Sequence, residues 1–209
     1  MGKRNAQRAG APSFGPPAVD PRRRRLLGCS CCAAGGLLLS SPVVANAATP
    51  AAVEDWRSRL LQGERSLWLA RGDDQVRTTY WTPDAGYDGE AYKEICWLLR
   101  DVQANKSFAM SPRLLDVLCG LQNWLAHGGH RQPIHVNSGY RSFATNYRTE
   151  GAALNSRHLS GQAADITVPG VPLARLAGMA SLFGEGGVGM YLNKGFVHVD
   201  TGNERIWIK

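Results

Sequence analysis

Two short segments near the end of the chain, QAADITV and GFVHVD, constrain its fold more than any other feature of the sequence. In QAADITV, apolar residues recur at every second position, which is typical of a β-strand with one face in the core. Ala164, Ile166 and Val168 then share the core face, and Asp165 lies on the opposite face. The pattern predicts a strand that carries a carboxylate on the side away from the core.

GFVHVD repeats this alternation and predicts a second strand of the same kind. Val197 and Val199 face inward, which leaves His198 and Asp200 on the other face. A third polar residue, His158, stands a short loop before QAADITV, and a glycine within that loop permits a tight turn. The two strands and the loop therefore present residues of the types that bind metals.

His158, Asp165 and His198 match the ligand set of a catalytic zinc site. Two imidazoles and one carboxylate occupy three positions of a tetrahedral ion and leave the fourth position open to water. A fourth protein ligand would make the site structural, but no cysteine of the sequence is placed to provide one. The residues alone therefore predict Zn²⁺ as the cofactor of a catalytic site.

The remaining patterns between residues 64 and 209 mix helices with strands that form mainly hairpins. RSLWLAR and QVRTTYW flank the turn GDD and predict a hairpin. Helical spacing covers GEAYKEICWLLRDVQ, with apolar residues from Ile95 to Val102, and also LARLAGMASLF. Ser111 predicts the N-cap of a third helix that Gly128-Gly129 ends. We expect an α+β fold, a single domain with a small, mainly antiparallel sheet and flanking helices.

Residues 1–47 have the order of an export signal: a run of arginines, an apolar stretch, and the cleavage-type sequence Ala45-Asn46-Ala47. The arginines of RRRRLL also resemble a twin-arginine signal; a disordered basic tail is the alternative. We therefore expect an export signal over 1–47, a linker over 48–63 and a zinc-binding domain over 64–209. The predicted location is the periplasm or cell envelope, with no stable membrane insertion after removal of the signal.

The positive charge of the chain lies mostly in that leader. The whole chain has a formal charge of +7, whereas residues 48–209 hold 17 basic and 16 acidic side chains. A nearly neutral domain gives little support for a nucleic-acid partner.

Cys96 and Cys119 are the cysteines outside the leader, each in an apolar helical pattern. Two buried thiols and one disulfide are both consistent with this placement.

The segment SRHLSGQAAD matches the S-x-H-x-x-G-x-A-x-D signature of the D-Ala-D-Ala-carboxypeptidase-like zinc peptidases, which include hedgehog-type domains. VNSGYRS, GAALNSRHLSGQAADI, GGVGMY and GFVHVDTGNERIW further resemble the murein endopeptidase K branch, in order from about residue 66 to 209. The resemblance implies that His158, Asp165 and His198 bind zinc. It implies that the substrate is the peptide crosslink between the peptide stems of peptidoglycan.

The resemblance also implies roles for residues beside the metal. Arg141, in SGYR, corresponds to a cation that faces the scissile carbonyl or its developing oxyanion. Ser156 either holds substrate with its hydroxyl or shapes the loop before His158. Trp207, in the closing R-x-W, is expected in the core, and Asn146 is expected to brace a loop or to start a helix.

The general base cannot be assigned by position. Many relatives have a glutamate three residues before the last zinc histidine, and others have a histidine two residues before it; here those positions are Gly195 and Phe196. Asp200 is the nearest candidate for a catalytic base, and its alternative role is to orient a ligand. Three further acids stand in reserve: Glu150, Glu185 and Glu204.

Two other functions remain open from the sequence. A carboxypeptidase or dipeptidase that acts on D-Ala-D-Ala ends has the same metal ligands but needs a closed pocket instead of an open groove. A non-catalytic, zinc-containing module that binds the cell wall also fits this scaffold, since the glutamate of many relatives is missing.

Overall fold

The computed structural model describes residues 56–209. The predicted export signal over 1–47 and residues 48–55 of the predicted linker lie outside the described residues. The helices are α1 Trp56–Leu60, α2 Gly89–Leu98, α3 Pro112–His127, α4 Phe143–Arg148 and α5 Leu173–Phe183, with a 3-10 helix at Arg157–Ser160. The strands are β1 Arg65–Arg71, β2 Asp74–Thr82, β3 Gly86–Tyr87, β4 Ile134–Ser138, β5 Ala163–Thr167, β6 Gly187–Tyr191, β7 Phe196–Asp200 and β8 Arg205–Ile208.

The strands form one sheet in the order β3-β2-β1-β4-β5-β7-β6-β8. Neighbouring strands are antiparallel except for the pairs β1·β4 and β6·β8, which are parallel. The α+β class, the single domain and the mainly antiparallel sheet with flanking helices are therefore confirmed. β5 and β7, the two strands of alternating polarity, are neighbours in the interior of the sheet.

Helices α2, α3 and α5 pack against the sheet and form one apolar core with it. Ile166 and Val197 are fully buried in that core, as the alternation of β5 and β7 predicts. Leu114, Leu118 and Leu121 lie on the buried face of α3. Because the helices take up the apolar face, the opposite face of β5 and β7 is left for polar residues.

Helix α2 ends earlier than its apolar spacing predicts. The last helical residue is Leu98, and Val102 lies 50% exposed instead of in the core. Two interactions explain the end: Arg71 Nη1 donates to the carbonyl oxygens of Leu98 and Arg100, and Asp101 accepts the backbone N–H of Ala104. The carbonyl oxygens that a longer helix would use for its own hydrogen bonds are bonded to Arg71 instead, and the bond from Ala104 to Asp101 turns the chain away from the helix axis.

Residues 56–60 of the predicted linker form helix α1. Helix α1 packs on α3, with the Trp56 and Trp124 ring centroids 4.7 Å apart.

Cys96 and Cys119 are both free thiols, and burial raises the pKa of each above its ordinary value. Among the helices over residues 56–209, none has the length and apolar character needed to cross a membrane.

Candidate metal centre

Asp165 and His198 are brought together by the pairing of β5 with β7. They stand directly opposite each other in the antiparallel register, so their side chains lie on the same face of the sheet. Both are buried, with exposures of 2% and 7%. Their neighbours along each strand point into the core, which fixes the register and with it the contact between carboxylate and imidazole.

His158 reaches the same place from the 3-10 helix Arg157–Ser160, where its exposure is 2%. Gly161 ends that helix with φ +66, a left-handed conformation that glycine adopts without strain. A Cβ at Gly161 would stand 2.6 Å from the Ala109 carbonyl oxygen, so the turn also requires the absence of a side chain. At the other end, the Ser156 hydroxyl accepts the backbone N–H of His158 at 3.4 Å.

The three side chains converge on one point. His158 Nε2 lies 3.2 Å from His198 Nδ1 and 3.2 Å from Asp165 Oδ1, and His198 Nδ1 lies 2.8 Å from Asp165 Oδ1. Ligand atoms at about 2.0–2.1 Å from a tetrahedral zinc ion are separated from one another by about 3.3 Å. The triangle is close to that size, so these three residues fit a tetrahedral metal ion.

Each candidate ligand is held by a polar partner on its far side. His158 Nδ1–H donates to the Gly139 carbonyl oxygen at 2.6 Å, and His198 Nε2–H donates to Asp200 Oδ2 at 2.9 Å. Each bond fixes the tautomer whose other nitrogen offers a lone pair to a metal. Asp165 Oδ2 pairs with Arg141, which leaves Oδ1 for the ion.

The environment shifts the pKa values of the three groups in different directions. Burial lowers the pKa of His158 below its ordinary value. Burial alone would raise the pKa of Asp165, but the adjacent imidazoles of His158 and His198 bring it well below its ordinary value. Burial opposes the protonation of His198, but its bonds to Asp165 and Asp200 outweigh burial and raise its pKa. The centre thus holds one firmly charged carboxylate between two imidazoles.

Arg141 lies beside this centre but is already engaged on two sides. Its Nη2 pairs with Asp165, and its Nε donates to the Ser138 hydroxyl at 2.8 Å. Its Nη1 makes no hydrogen bond within the described part of the chain, and the side chain lines the cleft in front of the centre. Arg141 therefore orients Asp165 and keeps one nitrogen that no described residue engages.

Asp200 lies behind His198, away from the cleft wall. Oδ2 accepts from His198 and forms an ion pair with Arg205 at 2.7 Å. Oδ1 accepts the backbone N–H of Gly187 at 3.2 Å and that of Gly202 at 2.8 Å. Both oxygens of the carboxylate are thus engaged, and its exposure is 2%.

Two open clefts meet at the candidate metal centre. The first, of about 400 Å³, is lined by all three candidate ligands, and the second, of about 360 Å³, also reaches Asp165. The side chains that line both are Arg141, Thr149, Asp165, Lys194 and Phe196. The two clefts thus adjoin along Asp165 and Arg141, and together they offer space for an extended ligand.

One wall of the first cleft is aromatic. The Tyr191 and Phe196 rings are stacked with centroids 4.7 Å apart, and Trp207 lies with its ring 5.3 Å from that of His198. Trp207 thus lines the cleft instead of filling the core as expected from the sequence. A Cβ at Gly189 would stand 2.3 Å from the Trp207 ring, so this glycine makes the position of Trp207 possible. A glycine within the strand segment GGVGMY was the signal for this close approach.

The other residues considered from the sequence fall in different places. Asn146 Nδ2 donates to the Ala153 carbonyl at 2.9 Å, so it braces the loop 149–156 that lines the first cleft. Ser156 and Glu150 line the same cleft. Glu185 pairs with Arg113 away from it, and Glu204 lines neither of the two clefts.

Comparison with known proteins gives one consistent result. The family described as peptidoglycan L,D-endopeptidase MepK matches residues 62–207. The chain is 34% identical over 192 residues to the peptidoglycan L,D-endopeptidase MepK of Escherichia coli K12. The aligned region covers 90% of this chain and 98% of that protein. The chain is 36% identical over 126 residues to the probable peptidoglycan L,D-endopeptidase MepK of Haemophilus influenzae, covering 58% of this chain and 67% of that protein. The family match includes His158, Asp165 and His198.

Proposed function

The chain belongs to the peptidoglycan L,D-endopeptidase MepK family, and from that premise we propose that it hydrolyses peptide crosslinks of peptidoglycan with a zinc ion bound by His158, Asp165 and His198. Membership in this family makes the chain a peptidase that acts on peptidoglycan. The observation that carries the zinc proposal is the triangle of ligand atoms, whose sides of 2.8–3.2 Å suit a tetrahedral ion.

A zinc ion at this position supplies Lewis-acid polarisation of the scissile carbonyl and acidification of the attacking water. The chain's own residues prepare the site for that chemistry. Gly139 and Asp200 hold the two imidazoles in the metal-binding tautomers, and Arg141 holds the carboxylate of Asp165. The remaining Nη1 of Arg141 stabilises negative charge that develops on the carbonyl oxygen, because a fixed and mostly buried cation interacts strongly with such charge.

Asp200 acts in this proposal by orienting His198, which was the alternative to a general base. Its oxygens are engaged by His198, Arg205 and two backbone N–H groups, and its side chain does not line the first cleft. Among the four acids considered from the sequence, Glu150 is the one that lines the cleft. Glu150 is therefore the residue to test as a proton acceptor.

The two clefts favour an endopeptidase over a carboxypeptidase or dipeptidase. An enzyme that cuts within a crosslink must accept peptide on both sides of the scissile bond, whereas a dipeptidase needs a pocket closed on one side. Clefts of about 400 Å³ and about 360 Å³ both border Asp165 and Arg141 and differ in most of their other lining residues. We also propose export to the periplasm or cell envelope, where the substrate is found, with residues 1–47 as the signal.

The proposal is tested by incubating the purified protein with isolated peptidoglycan and separating the released muropeptides. We expect crosslinked dimers to be converted to monomers when zinc is present, and chelation to reduce the rate at least about 100-fold. Asp165→Ala should lose zinc and activity together, as measured by elemental analysis and by muropeptide release.

Three outcomes would contradict the proposal. Release that is unaffected by chelation would exclude a metal-dependent reaction. Loss of terminal D-alanine with intact dimers would indicate a carboxypeptidase. Zinc-dependent binding to peptidoglycan without any release would indicate the non-catalytic wall-binding module.

A further inference from the structure

Five cations line the first cleft: Arg141, Arg157, Lys194, Arg205 and Lys209. Most of them are already engaged by the protein. Arg141 pairs with Asp165 and Arg205 with Asp200, and Arg157 donates to the side-chain oxygen of Gln162 at 2.9 Å. Within residues 56–209, Lys194 and Lys209 form no ion pair with a carboxylate. Neither ammonium group is therefore neutralised by a carboxylate of the described residues, and both can bind an anionic ligand.

Position separates the two lysines. Lys209 lies over the Tyr191 ring, with Nζ 5.7 Å from the ring centroid. It lines the first cleft but not the second. Lys194 lines both clefts, together with Arg141 and Asp165. Lys194 therefore borders both clefts that Asp165 borders, whereas Lys209 borders only one of them.

The backbone holds Lys194 where the two clefts adjoin. It lies in the turn between β6 and β7, which the Gly195 N–H closes by donating to the Tyr191 carbonyl at 2.8 Å. Phe196, two residues on, is stacked on Tyr191 and anchors the turn to the aromatic wall. Lys194 Nζ donates to the Glu150 carbonyl oxygen at 3.3 Å. Because an ammonium group has three N–H donors, two remain for a ligand.

We propose that Lys194 binds a free carboxylate of the peptidoglycan stem beside the scissile bond and thereby selects crosslinks whose carboxylate is not amidated. The inference rests on the proposed function, because it takes the stem peptide as the ligand. Stem peptides contain amino acids with carboxylates next to the crosslinked amide, and a carboxylate is the natural partner of an ammonium group. Converting that carboxylate to an amide removes its charge and most of its attraction to Lys194.

The test uses two synthetic crosslinked stem peptides that differ in one group, a free carboxylate or its amide, next to the scissile bond. For the zinc-loaded protein we expect kcat/KM to be about tenfold higher with the free carboxylate, mainly through KM, because a charged hydrogen bond at a partly exposed site has about this effect. Lys194→Ala should remove the preference, and Lys194→Arg should keep most of it. Lys93→Ala is the matched control, since Lys93 is an exposed lysine on α2 outside both clefts.

Binding of the same two peptides to chelated protein, measured by calorimetry, separates this inference from the proposed function. A binding preference for the free carboxylate that depends on Lys194, together with no hydrolysis of either peptide by the zinc-loaded protein, would support the subsite and overturn the endopeptidase proposal. Hydrolysis with equal preference in the wild type and in Lys194→Ala would leave the endopeptidase proposal intact and overturn the role of Lys194. A preference that Lys93→Ala also removes would likewise overturn it.

Discussion

At the scale of single residues, each candidate ligand depends on a partner that the local sequence does not identify. His158 donates to the backbone of Gly139, Asp165 pairs with Arg141, and His198 donates to Asp200. Such partners fix the tautomer or orientation of a ligand and raise its affinity for a metal. The arrangement explains why the carboxylate of Asp200, although next to His198, is turned away from the cleft.

Asp200→Asn tests this role at the residue scale. The asparagine keeps an oxygen for the His198 N–H but loses the negative charge, so we expect zinc affinity to fall about 10- to 100-fold. Activity at saturating zinc should remain within about tenfold of the wild type. Zinc affinity is measured by competition with a chromogenic chelator, and activity by muropeptide release.

Glu150→Gln is the matched variant, since Glu150 lines the cleft without contacting any of the three candidate ligands among the described residues. It should leave zinc affinity unchanged and lower activity if Glu150 accepts the proton. Unchanged zinc affinity in Asp200→Asn, together with loss of activity at saturating zinc, would show that Asp200 acts in the reaction itself.

At the scale of elements, a buried acid joins the loop after α2 to the start of α4. Asp101 accepts the backbone N–H groups of Ser142 and Ala104 at 2.8 and 3.1 Å. Burial alone would raise the pKa of Asp101, but hydrogen bonds from Thr145, Ser142 and Ala104 lower it to about 2. Since α4 carries Asn146, which braces the loop 149–156, this acid supports one side of the first cleft.

Asp101→Ala should lower the free energy of unfolding by about 2–3 kcal/mol at neutral pH, because it leaves buried N–H groups without an acceptor. The folded-state pKa of about 2 lies below the ordinary value, which is about 3.9 in an unfolded chain. The stabilisation by the charged form is therefore complete above about pH 4 and is lost as the pH falls through that folded-state value.

Urea unfolding of the wild type and Asp101→Ala at several pH values measures this difference, with Asp101→Asn as the control that keeps one acceptor oxygen. The gap in stability between wild type and Asp101→Ala should narrow as the pH falls from about 4 towards 2. A gap that is constant across this range would mean that the charge of Asp101 contributes nothing.

At the scale of the whole molecule, one face of the sheet forms the apolar core and the other face carries the candidate ligands. Helices α2, α3 and α5 bury the apolar face of the sheet, while the candidate ligands lie on the face that the helices leave open. The three ligands come from the 3-10 helix, β5 and β7, so a bound ion would link segments that are distant in sequence. Metal binding should therefore stabilise the folded domain as a whole.

We expect zinc at about 100 times its dissociation constant to add about 2.7 kcal/mol to the free energy of unfolding. For a domain of this size that corresponds to a rise in Tm of about 5–10 °C. Differential scanning calorimetry of zinc-loaded and chelated protein measures the rise. His158→Ala is the control, in which zinc should change Tm little; an equal Tm with and without zinc in the wild type would contradict the site.

Local patterns predicted most of the elements but not all of them. Alternation predicted β5 and β7, and the helical period predicted α3 and α5, because those signals come from neighbouring residues. β6 was not predicted, since its glycines have a low strand propensity. Gly189 is nevertheless suited to that strand, because the Trp207 ring takes the space of a Cβ.

By itself, the sequence determined the fold class and the polar faces of β5 and β7, because strand periodicity assigns each side chain to a face. It identified His158 by its residue type and by the zinc-peptidase signature around it. Only the tertiary structure decided how those residues are used. It placed Asp200 behind His198, brought Trp207 to the cleft wall and set Lys194 where two clefts meet. These outcomes depend on contacts between distant segments, which periodicity along one chain does not record.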